Sequence, residues 1–360
     1  MITIQANNFP TYFSAGTLTE PLFLKPDGNR TRYPIGWLGK GRYQPGSLRI
    51  WKSGAKLTPG VDYLEEANGL FYTFSAPPAA GADYREYHVG YVPRAADLAI
   101  ADGTDKMFLF PNWLGSTWIG DGFWIGRHVA SRADATDSSA GSSTTPTSRK
   151  GVIPWCEVDY NAAVVAVTGK GSGWHLVRNR EWANIALWCA HHDIYPTGNS
   201  VSGSDGMGVA HAPDPTVSGR ALTSTGPATS SHNLRPDGIF DLVGNVWEWI
   251  DGLQLVTGAI WKAGSDGRMI TTGIAGTFGS SGVAFGGMRS DMTEELYPAA
   301  AGSWRGGDGF WWANTGTMQA VRGGVWYSGP LAGLGALYLN VARSNSNTDF
   351  GFRPALLLTV

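Results

Sequence analysis

Few side chains in this sequence are spaced to do chemistry together. Its two cysteines, Cys156 and Cys189, cannot build a disulfide scaffold or a thiolate zinc cluster. They are either one bridge or two buried thiols. His191-His192-Asp193 ends a helical pattern, where adjacent histidines point to different faces and favour the helix dipole rather than share a metal. Asp205, His211 and Asp214 lie in a Gly/Pro-rich stretch with no recognisable geometry. No Gly-x-Ser-x-Gly, phosphate loop, dinucleotide fingerprint or His-Glu-x-x-His occurs. Arg322 and Arg353 are guanidiniums suited to tying irregular loops to carboxylates or carbonyls. Rings are plentiful instead: 16 Trp, 13 Tyr and 14 Phe stand beside 50 Gly.

That mixture suits irregular, loop-heavy β or α+β structure with Trp anchors and argues against a helical bundle. At 360 residues the chain is long enough for about two domains. Its 27 basic and 29 acidic residues leave a net charge of −2, so it lacks the basic face that neutralises phosphates and offers no polybasic membrane anchor. Nucleic acid is therefore not expected as a partner. The opening MITIQANNFP has no basic region followed by an apolar stretch, so no secretory signal is expected. No apolar run approaches the ~18 residues of a membrane span, and no membrane insertion is expected.

Residues 1–97 read as a small all-β domain. Ser47–Trp51 and Leu70–Phe74 are short, aromatic and branched, and alternation puts Tyr87, Val89 and Tyr91 on one face. Ser53-Gly54, Pro59-Gly60 and Pro77-Pro78 punctuate them as turns. Pro93–Gly103 reads as the connection to a second domain, residues 98–360. There, Arg178–His192 places Trp182, Ile185, Ala186 and Cys189 on one helical face, with Asn179 as a plausible N-cap. A shorter helix is predicted over Glu157–Val167, and the closing ALLLTV reads as a buried strand. Ser131–Lys150 is nearly free of large apolar groups and predicts an exposed loop, and Thr197–Leu234 a long surface excursion.

Ser53–Tyr91, with Gly60-Val61-Asp62-Tyr63 ahead of a strand and an Ala-Pro and Gly turn after it, resembles a small β module of phage tail fibres. Further on, five pieces stand in order: FWIGR (Phe123–Arg127), WHLVRNREWANIA (Trp174–Ala186), DLVGNVWEW (Asp241–Trp249), RGGVW (Arg322–Trp326) and GFRPAL (Gly351–Leu356). This set resembles the formylglycine-generating-enzyme type of C-type lectin fold. The fold class expected is therefore α+β, a C-type lectin-like domain preceded by the small β domain. That enzyme's chemistry needs a reactive cysteine pair near the C-terminus, and beyond Cys189 there is no cysteine. Only the scaffold carries over, and no catalysis and no organic cofactor are expected.

About residues 322–353, framework residues such as Gly323, Gly324, Trp326, Leu337 and Leu339 alternate with Val325, Tyr327, Ser328, Leu331, Gly335, Tyr338, Asn340 and Val341. The stretch resembles the repeat-derived region of diversity-generating retroelement variable proteins, a family that includes phage tropism determinants. The resemblance implies that these eight positions form a diversified ligand-binding face, with Tyr327 and Tyr338 as contact anchors. It implies a host cell-surface receptor or other macromolecular ligand, a place at the tip of a tail fibre on a phage or prophage-encoded particle, and a homotrimer. The rivals are an enzyme of the same scaffold acting on a thiol or sugar, and a purely structural virion protein. Asp241–Glu248 also resembles a calcium loop of the scaffold. Carried over, Asp241 and Glu248 would supply carboxylates, and Gly244 and Val246 backbone carbonyls.

Overall fold

The computed structural model describes residues 16–115, 118–275, 283–284 (backbone), 308–313 and 315–358. Residues 1–15 of the expected first domain, and Thr359 and Val360 of the expected closing strand of the second, lie outside them. The described residues are mostly β, with three α-helices: α1 (Ala95–Ala101), α2 (Tyr160–Thr168) and α3 (Asn179–His191). None is long and apolar enough to cross a membrane. The chain divides into two compact units, Met1–Ala101 and Asp102–Thr359.

In the first unit, one antiparallel sheet runs Leu18–Glu20, Tyr87–Tyr91, Arg49–Lys52, Ala55–Lys56, and a second runs Arg32–Pro34, Phe71–Phe74, Tyr63–Glu65. Tyr87, Val89 and Tyr91 are buried, as their alternation requires. Phe74 of one sheet meets Tyr87 of the other edge to face at 5.8 Å, so aromatic rings fill the space between them. The Pro93–Gly103 stretch is no simple connection. It forms α1, whose buried Asp97 takes both a fork from the Arg42 guanidinium (2.9 Å each) and the Arg42 backbone N–H (2.7 Å). The helix thus closes the first unit, which is not purely β.

The second unit holds a four-stranded sheet, Trp174–Leu176, Pro354–Leu357, Gly122–Gly126, Met107–Pro111, and a larger one. The larger sheet runs Met269–Ala275, Ala259–Ala263, Trp247–Val256, Thr317–Gly323, Gly333–Leu339, Gly309–Trp312, Val283–Ala284, with Phe350–Phe352 parallel to Trp247–Trp249. The closing strand Pro354–Leu357 is only partly buried, because Leu356 and Leu357 keep some exposure. α3 matches its apolar stripe, but Arg178 precedes it in extended conformation as the N-cap. Asn179 instead uses its side-chain oxygen to accept from Arg322 Nε at 2.8 Å. α2 starts later than predicted, since Asp159 caps it by accepting from Ala162 N (2.8 Å) and Glu157 is held in the left-handed region.

Ser131–Lys150 is not wholly exposed. Ala130–Arg132 pairs with Pro146–Ser148, and Ser131, Thr147 and Ser148 are buried because their hydroxyls find partners, Ser148 Oγ donating to Lys106 O at 2.9 Å. Thr197–Leu234 is irregular yet anchored: Asp205, Asp214, Arg220, Ser224 and His232 are all buried.

Candidate functional site

The site begins at the paired glycines ahead of Val325. Gly323 and Gly324 both have left-handed φ, +93° and +91°, and a Cβ on Gly324 would stand 2.8 Å from Ala332. No other residue lets the Thr317–Gly323 strand end and fold back this tightly. The chain then turns through Trp326 to Ser328, makes a short 3-10 turn at Gly329–Leu331 and returns as Gly333–Leu339. The framework beneath has hydrogen bonds of its own. Trp182 Nε1 donates to Leu334 O (2.8 Å), Gln319 Nε2 donates to Ile250 O (2.6 Å), and Trp249 Nε1 donates to Val158 O (2.9 Å).

Of the eight positions expected on a shared face, five reach solvent. Tyr327 is 60% exposed, Asn340 is exposed, and Ser328, Leu331 and Tyr338 are half-buried. Val325, Gly335 and Val341 are buried and do not belong to the face. Val325 and Val341 pack in the core cluster with Trp249 and Phe350. Gly335 lies in a strand paired on both edges, and its N–H donates to Asp308 (2.7 Å). Strict alternation misleads at Gly335, because every residue of its strand but Tyr338 is buried. Ser328 is committed to the turn, its hydroxyl accepting from Val325 N at 2.9 Å.

Sequence reasoning missed the residues that join these positions. Asp349 accepts a short hydrogen bond from the Tyr327 hydroxyl. Trp311 meets Tyr338 edge to face at 5.8 Å, while Trp247 stacks on Tyr338 at 5.7 Å. A Cβ at Gly309 would stand 2.2 Å from the Trp311 ring and 3.1 Å from Leu331 Cβ, so Leu331 borders the same rings. Burial and the neighbouring Asp349 push both phenols, Tyr327 and Tyr338, above their ordinary range, so both stay neutral donors. The nearby 199–210 loop docks on the turn: Ser202 N donates to Trp326 O (2.6 Å) and Gly329 N to Ser200 O (2.8 Å). It carries Val201, Met207 and Val209, all exposed, with Met207 at 71%. That the two phenols reach solvent was legible; their Asp and Trp partners were not, because those lie elsewhere in the sequence.

The four residues of the expected calcium loop do not fit a calcium ion. Both Glu248 oxygens accept from Arg353 (2.8 and 2.6 Å), whose remaining N–H groups donate to Gly126 O and Phe240 O (2.8 Å each). Asp241 Oδ2 is taken by Ser224 N (2.7 Å) and Oγ (3.0 Å), and the Gly244 carbonyl accepts from Val246 N (2.9 Å). The guanidinium supplies the positive charge at this place; it also opposes the effect of burial, which raises both carboxyls. Val246 itself is buried in the core cluster. Among the described residues no group of three or more His, Cys, Asp or Glu could hold a metal. Cys156 and Cys189 are free and buried, and burial pushes the Cys156 thiol up to about 12.

Among solved structures, the chain is similar to the Major Tropism Determinant I1 variant at 15% identity, over 91% of this chain and 87% of that one, with a TM-score of 0.33. It is similar to PvdO from Pseudomonas aeruginosa at 14% identity, over 67% and 82%, TM-score 0.35. It is also similar to Treponema denticola variable protein 1 at 17% identity, over 66% and 85%, TM-score 0.31. Among curated proteins there is no match. Residues 115–357, which hold the ordered sequence pieces, the Arg353–Glu248 pair and the whole Tyr327–Tyr338 turn, match the sulfatase-modifying factor enzyme 1-like domain, and the chain belongs to that family.

Proposed function

We propose that this chain is a binding protein whose second unit presents the surface around Tyr327, Leu331, Tyr338 and Asn340 to a macromolecular ligand, a host cell-surface receptor. One observation carries the reading. Tyr327 and Leu331 sit on a turn set by left-handed glycines, and Tyr338 and Asn340 in and just after the strand that returns from it, over a core of buried tryptophans and the Arg353–Glu248 pair, so most of them can change without loss of the core. Such a surface suits diversification by a retroelement. It suits a tail-fibre tip on a phage or prophage-encoded particle, and a homotrimer in which weak single contacts add up. An enzyme of this scaffold working through paired thiols finds no counterpart, since Cys156 and Cys189 are each buried and free.

Three measurements test it. Combined Tyr327→Ala, Leu331→Ala and Asn340→Ala should abolish adsorption to host cells while the circular-dichroism spectrum of the folded chain is retained, because none of the three belongs to the buried core. Unchanged adsorption removes the face. In the DNA, a near-copy of the 3′ coding region differing almost only at adenines, beside a reverse transcriptase, is expected, and its absence removes the diversification. Light scattering should give the mass of three chains, and a monomeric mass removes the trimer.

A further inference from the structure

Beneath Tyr327 lies a carboxylate that has no ion-pair partner among the described residues. Asp349 is 6% exposed. One of its oxygens accepts from Tyr327, and the other, Oδ1, has no hydrogen-bond partner among the described residues. Arg220, which reaches the adjacent residue Thr348, is already engaged. It pairs with Asp214 (2.7 Å) and donates to Thr348 O (2.7 Å) and Thr216 Oγ1 (3.2 Å). A buried carboxylate held by one phenol alone is costly unless a cation joins it. Tyr327 donates to Asp349 and Tyr338 stands close enough to feel its charge, and aromatic rings also attract positive charge.

Resting on the binding face proposed above, we infer that this surface selects a protein ligand presenting a basic side chain, a lysine or arginine that enters beside Tyr327 and pairs with Asp349. The Tyr327 hydroxyl is the group displaced or shared on entry, which makes Asp349 the fixed point of an otherwise replaceable surface. Asp349 is then a residue kept for recognition at the expense of stability.

The test uses the full chain with ring-labelled tyrosine, titrated with acetyl-lysine amide and acetyl-arginine amide against uncharged acetyl-norleucine amide at equal ionic strength. The Tyr327 and Tyr338 signals, assigned through Tyr327→Phe and Tyr338→Phe, report binding. A basic amide should bind about tenfold more tightly than norleucine amide. Asp349→Asn should abolish that preference while raising the thermal midpoint, because it removes an unpaired buried charge. Tyr327→Phe, which frees the second oxygen and keeps the ring, should retain or strengthen the preference and serves if Asp349→Asn does not fold. Equal binding of charged and uncharged amides, no binding of either basic amide, or an undiminished preference in Asp349→Asn overturns the inference. Equal binding leaves the face itself standing; that face fails on the separate result of unchanged host adsorption in the triple alanine variant.

Discussion

Arg353 and Glu248 show how much of this domain rests on single polar pairs. Both are fully buried, and the pair is bidentate, with two further carbonyls completing the guanidinium's partners. Arg353→Met would strand a buried carboxylate, so unfolding in denaturant should show a loss of about 3–5 kcal/mol. Adding Glu248→Gln to it should restore part of that loss, which a purely steric role for Arg353 would not allow. Because the guanidinium is the cation here, EDTA should leave the thermal midpoint of this unit unchanged, and a clear drop on chelation would show that a metal ion stabilises the unit after all. At this scale the sequence was readable where chemistry is local. Tyr327 announced itself as an exposed phenol in a glycine-rich turn, and Arg353 as a guanidinium in need of an acceptor. It was unreadable where a residue's role depends on a partner far along the chain: Asp349 under Tyr327, Trp311 against Tyr338, and Glu248 turned towards Arg353 instead of a metal.

Elements were legible in proportion to their hydrophobic signal. α3 follows from its stripe of Trp182, Ile185, Ala186 and Cys189, all of them buried. The paired strands at Ser131–Lys150 left no such trace, because small hydroxyl side chains are buried there by hydrogen bonding and not by apolar area. The same limit hid the true start of α3. Glu181, fully buried, accepts from Arg178 N (2.8 Å) through one oxygen and from His175 Nε2 (2.8 Å) through the other. It therefore closes the helix N-terminus and links it to the Trp174–Leu176 strand at once. Glu181→Ala should cost the second unit about 2–3 kcal/mol, more than an ordinary cap, since a charge-assisted bond is lost and its donors are left unpaired. Chemical denaturation of the variant checks this; a change under 1 kcal/mol, within the range of an exposed surface substitution, would mean that the carboxylate does not anchor the helix.

Two compact units in one chain should behave as two thermodynamic bodies, and Glu20 offers a probe confined to the first. Its carboxyl is fully buried, accepting from Gly36 N (2.6 Å), Leu38 N (3.3 Å) and the Tyr91 hydroxyl (3.3 Å). Burial outweighs these bonds and raises its pKa from 4.5 to about 7. Between those values the folded unit binds more protons than the unfolded chain, so this group's contribution is complete at low pH and is lost as pH rises towards 7. The loss is on the order of 3 kcal/mol across the window. Comparing Glu20→Gln with the parent chain cancels the other titrating groups. The difference in stability should change between pH 4.5 and 7 in favour of the variant, and stay flat above. If the units unfold separately, calorimetry shows two transitions, and only the one belonging to Met1–Ala101 carries this dependence. A single cooperative transition, or a Glu20→Gln effect that moves both transitions equally, would show the two cores to be one folding unit. The binding surface around Tyr327 would then depend on the protonation of a residue in the other half of the chain.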